Sequence, residues 1–558
     1  MRTRGRIARH LWLVLAVLSL AACGAPNATS QATGPSPSGP SAASSSASVT
    51  SAASVIATQT SLPTPASSPR FGGSVDLAAY QASRGGAWFS VPLAGLPAST
   101  QKAATTYVVG SSPVANRDSG QVSPSLVASY VFLQFDHISV ADLEKNIGTI
   151  KALFIRSALM SFVDYGSGRV LGWDGRSIDI PLDVRGFVQV CNAHHVPVYL
   201  EVNYSDYVAG PVGSGTDSLV KADNVANTIA YLDDLGRAGL HLDGLTFGDE
   251  IGDDNGWGER KPTLANSDLV GRFIATATAL KSHYPSLKIY AFDSSIGAAS
   301  GELDQYWAPL TQIHAAEVQA GTKLLDGFAF RESYVYLNSN GKLRSSQQIL
   351  DDPESLYRDA PVYRYDTDGS TGSSPDRDYL HTLLAKTTAI FGRRLDIALT
   401  EYLPAGPVQI SESDTSRYAD IDFIIHYADV LGIYAQLGLD QVSTFVFANS
   451  PQQSKAYLDR YGNQGPNYPV RAQVAQYLSG QMLAVGGSTG YDTTKVKVYA
   501  FGSGSGYFIL LLNKDASAAQ VVRVALDGQL DLTLNLPARS YTSLIVGNQG
   551  VTVSGISA

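Results

Sequence analysis

Cysteine is nearly absent from this sequence, and that scarcity limits how the fold can be held together. The 558 residues include only Cys23 and Cys191. If Cys23 is consumed by modification during export, no internal disulfide can form. We therefore expect a fold that is stabilised by a hydrophobic core, which a chain of this length can readily build.

Charge is absent from one long segment, and an excess of positive charge is absent from the whole chain. No charged residue occurs from Gly24 to Pro69, where Ser, Ala, Thr and Pro dominate. Such a tract buries too little apolar surface to fold, so we predict a flexible tether. The net charge of −9 includes the arginines of the N-terminus, so the rest of the chain is more acidic still. Nucleic acid is therefore excluded as a predicted partner.

Long apolar runs are also missing, except near the N-terminus. Several arginines precede an apolar run from Leu11 to Leu20, which is too short to span a bilayer and is typical of an export signal. The following "LAAC" resembles a bacterial lipobox, which implies cleavage before Cys23 and its lipidation. The alternative is ordinary signal cleavage beside a chance cysteine. We predict a signal peptide over 1–22, a lipidated tether over 23–70, and a monomer held outside the cytoplasm by its lipid anchor alone.

The middle of the chain alternates short apolar strands with helical patterns, as βα units do. The eight candidate strands are 130–137, 151–157, 196–204, 242–250, 287–295, 325–333, 397–401 and 440–450. A doubly wound sheet is the alternative, but no Gly-rich phosphate loop follows an early strand. We predict a (β/α)8 TIM barrel over 118–478.

The end of the chain has a different pattern, in which strands are separated by turns rich in Gly, Asn and Asp. This pattern predicts a C-terminal β-sandwich over 479–558. Residues 71–117 contain further short strands, which we expect to join the sandwich from the N-terminal side.

Two glutamates follow predicted barrel strands and are candidate catalytic residues. Glu250 ends the fourth strand and Glu401 the seventh, and chemistry on such barrels lies at the C-terminal ends of the strands. Glycoside hydrolysis needs a protonated carboxyl group that donates to the leaving oxygen and an ionised one that attacks the sugar or activates water. The acidic residues around Glu250 favour its protonated form. We therefore predict Glu250 as acid/base and Glu401 as nucleophile.

Several segments resemble a known group of enzymes. "GDE" at the fourth strand and "TEY" at the seventh resemble the clan A glycoside hydrolases. The segments 345–359, 395–402 and 427–441 are similar to glycoside hydrolase family 44. The resemblance implies a barrel joined to a β-sandwich and retaining cleavage of internal β-1,4-glucan bonds in cellulose derivatives or xyloglucan. It is strongest between 345 and 441.

The sequence also departs from that family near the expected site of chemistry. Asp249 stands where the family has Asn. The sixth strand has Arg331 and Glu332 where the family has a His and tyrosines, and Phe445 or Phe447 stands where the family has a Trp for the sugar ring. These changes bear on the substrate more than on the class of reaction. The competing predictions are a non-catalytic glycan-binding lipoprotein and another clan A activity, such as an arabinofuranosidase, xylosidase or mannanase.

Further residues are candidates for substrate binding. Besides Asp249 they are Arg156, Tyr334, Trp257 and Tyr402; Arg156 is also a candidate for keeping the nucleophile ionised, and Trp257 for stacking on a sugar ring. No cofactor is predicted. A structural calcium ion is left open. The segment 366–378 resembles a calcium loop, but its twelfth position is Arg377 where a glutamate is needed. The segment "DDNGWGE" (253–259) offers carboxylates as well, but a solvated turn is the favoured interpretation.

Overall fold

The structure is a computed structural model, and it describes most of the chain from residue 70 onward. The described residues are 70–114, 116, 119–132, 138–156, 161–164, 169–171, 177–178, 184–202, 207–208, 220–221, 224–247, 267–295, 304–333, 345–357, 379–403, 420–444, 464–465, 467–487, 495–504 and 506–558. The predicted signal peptide, Cys23 and nearly all of the tether lie outside them.

Eight parallel strands close into a barrel, which confirms the predicted fold class. In barrel order they are β4 (Val127–Phe132), β5 (Ala152–Arg156), β9 (Val198–Val202), β12 (Gly244–Phe247), β13 (Lys288–Ser295), β14 (Gly327–Ser333), β15 (Asp396–Leu403) and β16 (Gln441–Thr444). β16 pairs with β4 and closes the circle. The first strand begins three residues earlier than the sequence pattern indicated, at Val127.

Eight of the ten described α-helices, and several short strands, lie between barrel strands; the first helix precedes the barrel and the last follows its eighth strand. The helices are α1 (Leu77–Ala82), α2 (Val140–Asn146), α3 (Val184–Ala193), α4 (Asn224–Arg237), α5 (Ser267–His283), α6 (Asp304–Ala320), α7 (Ser346–Tyr357), α8 (Tyr379–Phe391), α9 (Asp420–Leu437) and α10 (Tyr468–Tyr477). The small strands between them are β6 (Ser161–Asp164), β7 (Arg169–Leu171), β8 (Ser177–Ile178), β10 (Tyr207–Val208) and β11 (Val220–Lys221). Within the described residues, no helix is long and apolar enough to cross a membrane.

Aromatic rings fill the barrel interior near the N-terminal ends of the strands. Phe154 stacks on Tyr199 with ring centroids 4.7 Å apart, and Tyr199 meets Tyr290 edge-on at 5.5 Å. Glycines on neighbouring strands make room for these rings: a Cβ on Gly327 would lie 2.2 Å from the Tyr290 ring, and one on Gly244 would lie 2.8 Å from the Tyr199 ring. Each of these glycines lies beside a tyrosine ring of the neighbouring strand, so this part of the barrel interior is filled by side chains.

Replacement of Gly327 by alanine is expected to lower the free energy of unfolding by about 1–3 kcal/mol, because the added methyl group overlaps a fully buried ring. Gly271→Ala in α5 is the matched control, since nothing lies within 4 Å of the added Cβ. There the better helix propensity of alanine should raise stability by up to about 1 kcal/mol. Chemical denaturation of both variants checks this, and equal stability would contradict the packing argument.

A recurring Leu-Asp pair organises the N-terminal end of the barrel. Asp243, Asp326 and Asp440 each precede a barrel strand. Their carboxylates accept the backbone N–H of the preceding strand, from Val198 at 2.8 Å, from Ile289 at 2.9 Å and from Ile397 at 2.7 Å. Charged acceptors make these bonds stronger than neutral ones. The acidic residues at this end are thus part of the scaffold.

The C-terminal domain is a ten-stranded sheet that encloses its own apolar core. In sheet order it contains β1 (Phe71–Asp76), β21 (Leu530–Leu536), β20 (Gln520–Leu526), β3 (Thr105–Pro113), β17 (Gln481–Gly487), β18 (Val496–Ser503), β19 (Gly506–Asn513), β22 (Ser540–Gly547), β23 (Gly550–Ser557) and β2 (Phe89–Pro92). Three strands from the N-terminal segment belong to it. Of these, β1 runs parallel to β21, and β3 runs parallel to β20.

A fully buried ion pair joins the barrel to the sheet domain. Lys514, just after β19, places its Nζ 2.7 Å from a carboxylate oxygen of Asp429 in α9, and both side chains are 0% exposed. Tyr499 in β18 donates its hydroxyl to the same carboxylate. The two domains therefore share a charged contact that water does not reach.

Cys191 is a core residue of α3. It is buried in the main hydrophobic cluster, and this burial, with a smaller contribution from the charge of Asp243, raises the pKa of its thiol to about 12. A thiol of such high pKa is a poor nucleophile at neutral pH, so Cys191 is not a candidate for catalysis.

Candidate functional site

The candidate site lies where the barrel strands end. Glu401 and Tyr402 lie in the last part of β15, and Arg156 is the last residue of β5. β12 ends at Phe247, three residues before Glu250. The barrel order thus makes β12 and β15 the fourth and seventh strands, as the sequence pattern indicated. Four of the predicted site residues, Glu250, Asp249, Trp257 and Tyr334, lie outside the described residues.

A β-bulge in β15 sets the register of Glu401. On the side of β14, Phe330 pairs with Leu399 and the next residue, Arg331, pairs with Glu401. On the side of β16, Val442 pairs with Leu399 and Thr444 pairs with Tyr402. Both neighbours therefore show one extra residue in β15 after Leu399. A bulge of this kind re-aims the residues that follow it.

The pairing of β14 with β15 relates the position of Glu401 to residues that lie in the barrel interior. Ala329 and Ala398 pair with each other and belong to the interior cluster, whereas Phe330 and Leu399 pack in the main core. Arg331 follows Ala329 by two residues along β14. Because Glu401 pairs with Arg331, it occupies the same register position on β15.

One side chain is bonded across the bulge. Thr400 is 1% exposed, and its hydroxyl donates to the Phe330 carbonyl oxygen at 3.0 Å. This bond joins β15 to β14 at the residue before their pairing shifts. Sequence reasoning did not single out Thr400, since a threonine in an apolar strand is common and carries no signal of a bulge.

Polar side chains also occur inside the barrel above its aromatic layer. Glu201 in β9 is 5% exposed and pairs with Thr246 in β12, which pairs in turn with Tyr290. Sequence reasoning passed over Glu201 as well. The available signal was a carboxylate in the otherwise apolar run "VPVYLEV", because a charged residue seldom enters a buried strand without a purpose.

A buried arginine in α10 contacts the last residue of the eighth strand, β16. Arg471 in α10 is 3% exposed, donates to the Thr444 hydroxyl at 2.8 Å and lies 4.7 Å from the centre of the Tyr427 ring. Arg471 and Tyr427 line a small cavity beside α9 together with Phe423 and Asn467. The contact fixes the point where the chain leaves β16 toward residue 445.

Metal ligands do not cluster within the described part of the chain. There, no three His, Cys, Asp or Glu side chains lie together in a way that could hold an ion. The segment 366–378 lies outside that part.

A closed barrel joined to a β-sheet domain is also the fold of several solved glycoside hydrolase structures. The family 44 endoglucanase Cel44A of Clostridium thermocellum matches with a TM-score of 0.56 at 15% identity, covering 82% of this chain and 100% of that chain. A family 44 xyloglucanase of Paenibacillus polymyxa matches with a TM-score of 0.54 at 13% identity, over 81% and 99%.

A third similar structure belongs to another hydrolase family. AbfB, a family 51 α-L-arabinofuranosidase of Bifidobacterium longum, matches with a TM-score of 0.54 at 12% identity, covering 82% of this chain and 99% of that chain. No protein-family model matches the sequence, and comparison with curated proteins gives no match. At these identities the likeness shows the fold: a TIM barrel and a β-sandwich domain arranged as in these hydrolases.

Proposed function

We propose that this protein is a retaining glycoside hydrolase that cleaves a β-linked polysaccharide, with Glu401 as nucleophile and Glu250 as acid/base. The observation that carries the proposal is the bulge in β15, which pairs Glu401 with Arg331 at the C-terminal end of the seventh strand. That end is where barrels of this kind hold their catalytic groups. The similarity to endoglucanase and xyloglucanase structures adds support.

The mechanism is a double displacement. Glu401 attacks the anomeric carbon while Glu250 protonates the departing oxygen, and Glu250 then removes a proton from the water that hydrolyses the glycosyl-enzyme. This requires carboxyl groups about 5 Å apart. Arg156 at the end of β5 is proposed to keep Glu401 ionised, and Asp249, Tyr334, Trp257 and Tyr402 to contact the sugar.

The substrate we favour is a β-1,4-glucan or xyloglucan, cleaved within the chain. The similar structures include a xyloglucanase in complex with xyloglucan, and the sequence segments that resemble family 44 indicate the same substrates. An arabinofuranosidase also shares the fold, so an activity on arabinan is the second candidate.

The proposed location is outside the cytoplasm, on a lipid anchor at Cys23. The support is the sequence of the first 69 residues, in which an export signal, "LAAC" and an uncharged tract follow one another. A monomer on such a tether could reach an insoluble polymer from the membrane. Metabolic labelling with a radioactive fatty acid, lost in Cys23→Ala, tests the anchor.

The activity is tested by following new reducing ends. The chain from residue 71 onward and its Glu401→Ala variant are incubated with carboxymethylcellulose, xyloglucan, mixed-linkage glucan, xylan, mannan and arabinan. We expect release by the parent protein on a glucan and none by the variant. No release by either folded protein, with glycan binding retained, would instead favour a non-catalytic binding lipoprotein. Equal release by both would show that Glu401 is not the nucleophile.

A further inference from the structure

The bulge in β15 decides which residue of β15 pairs with Arg331. In "DIALTEYL", Ala398 belongs to the interior cluster and Leu399 to the core outside it. Regular alternation would assign Thr400 to the interior and Glu401 to the outer face, between strands and helices. A charged residue there would have to be buried in the apolar core at a large cost. With the extra residue, Glu401 rather than Thr400 pairs with Arg331.

Thr400 is the residue that the bulge inserts, and it is bonded where the pairing changes. Its hydroxyl donates to the carbonyl of Phe330 at 3.0 Å, and both residues are buried. Water cannot replace a lost bond at such a place, so the Phe330 carbonyl would lose this donor in a variant without the hydroxyl. In such a variant, regular pairing of β15 with β14, without the bulge, competes with the bulged arrangement.

We propose that the Thr400 hydroxyl positions the catalytic nucleophile by holding the bulge that gives Glu401 its register against Arg331. The inference rests on the proposed function, since it concerns the residue assigned there as nucleophile. Thr400 acts through Glu401 and is a positioning residue. A shift of the nucleophile by about 1 Å is enough to lower the rate by about 10²-fold.

The test compares three variants of the full chain on the substrate that the parent protein cleaves. Thr400→Val keeps the shape and β-branching but lacks the hydroxyl, and Thr400→Ser keeps the hydroxyl. The control is Thr387→Val in α8, because Thr387 is also 1% exposed and its hydroxyl also donates to a backbone carbonyl, that of Leu383 at 2.6 Å. Circular dichroism confirms that each variant is folded.

The expected result is a fall in kcat of about 10²-fold for Thr400→Val, with KM little changed. Thr400→Ser should restore most of the rate, and Thr387→Val should leave it at the parental value. A structural role alone would lower stability in Thr400→Val without separating kcat from KM. A folded Thr400→Val protein with the parental kcat would overturn the proposal.

A crystal structure of Thr400→Val supplies a readout that needs no substrate. The expected structure has Glu401 displaced from its pairing with Arg331, and an unchanged bulge would overturn the positioning role. Failure of the proposed function is recognised separately, because the parent protein would then release no reducing ends from any glycan. The crystallographic result would still decide whether the Thr400 hydroxyl holds the register.

Discussion

Replacement of Glu250 by alanine is expected to lower kcat/KM on a polysaccharide by about 10²–10⁴-fold, because the leaving sugar then departs without a proton. Glycosides whose leaving group is a weak base should be cleaved much better, since they need no general acid. Glu401→Ala should abolish cleavage of both kinds of substrate, because it removes the group that forms the new bond. Initial rates on a glucan and on a dinitrophenyl glycoside of the same sugar provide the measurement.

Azide distinguishes the two roles by the product that it forms. In Glu250→Ala, azide can attack the glycosyl-enzyme and give a glycosyl azide with the original configuration. In Glu401→Ala, it can occupy the place of the missing carboxylate and give the opposite configuration. Glu144→Ala, an exposed site in α2, is the control and should behave as the parent. The reverse pattern of products would mean that the assignments of Glu250 and Glu401 must be exchanged.

Replacement of Lys514 by methionine is expected to lower the free energy of unfolding by about 3–5 kcal/mol, because it leaves the carboxylate of Asp429 buried without its partner. The double variant Asp429→Asn/Lys514→Met should recover much of this loss. It removes both charges and retains an acceptor for the Tyr499 hydroxyl. Urea denaturation of the parent, the two single variants and the double variant measures the interaction as a cycle.

The pH dependence of this effect follows from the pKa of Asp429. Burial alone would raise that pKa, but the charges of Lys514 and Lys497 and the hydrogen bonds from Lys514 and Tyr499 outweigh it, and the pKa falls below its usual 3.8. The pair therefore stabilises the fold above about pH 4, and this contribution is lost as the pH falls through the lower native value. Without Lys514 the carboxylate binds a proton more readily, so the deficit of Lys514→Met should shrink in acid.

An exposed ion pair provides the matched control for this cycle. Arg185 and Asp234 approach to 3.3 Å, but their side chains are 51% and 29% exposed. Arg185→Met should cost no more than about 1 kcal/mol, because water already screens the pair. Similar losses at the exposed and buried pairs would show that burial adds nothing to the Asp429–Lys514 contact.

Much of the architecture could be predicted from local patterns in the sequence. Apolar runs such as "KALFIR" and "LDIAL" alternate with amphipathic helices because each βα unit must bury a strand on both faces and a helix on one. Counting those units placed Glu250 after the fourth strand and Glu401 in the seventh. The structure agrees on both strands, since the count depends only on chain order.

The exact bounds of the strands were less predictable. Sequence patterns began the third strand at residue 196, whereas β9 begins at Val198. Apolar residues beside a strand look like part of it, and only the hydrogen-bond partners decide where pairing ends.

What the sequence alone determined, then, is the order of the elements, the barrel, and the rank of the strand that precedes Glu250 and of the strand that contains Glu401, because periodicity and chain order are local properties. Only the tertiary structure decided the register of Glu401. Regular pairing along "IALTEY" would set Thr400 rather than Glu401 against Arg331, and the bulge is defined only by the pairing of β15 with β14 and β16. The same holds for the pairing of β1 with β21 and for the contact of Lys514 with Asp429. These join residues far apart in the chain, and no local pattern records which distant partner a strand or a charge will meet.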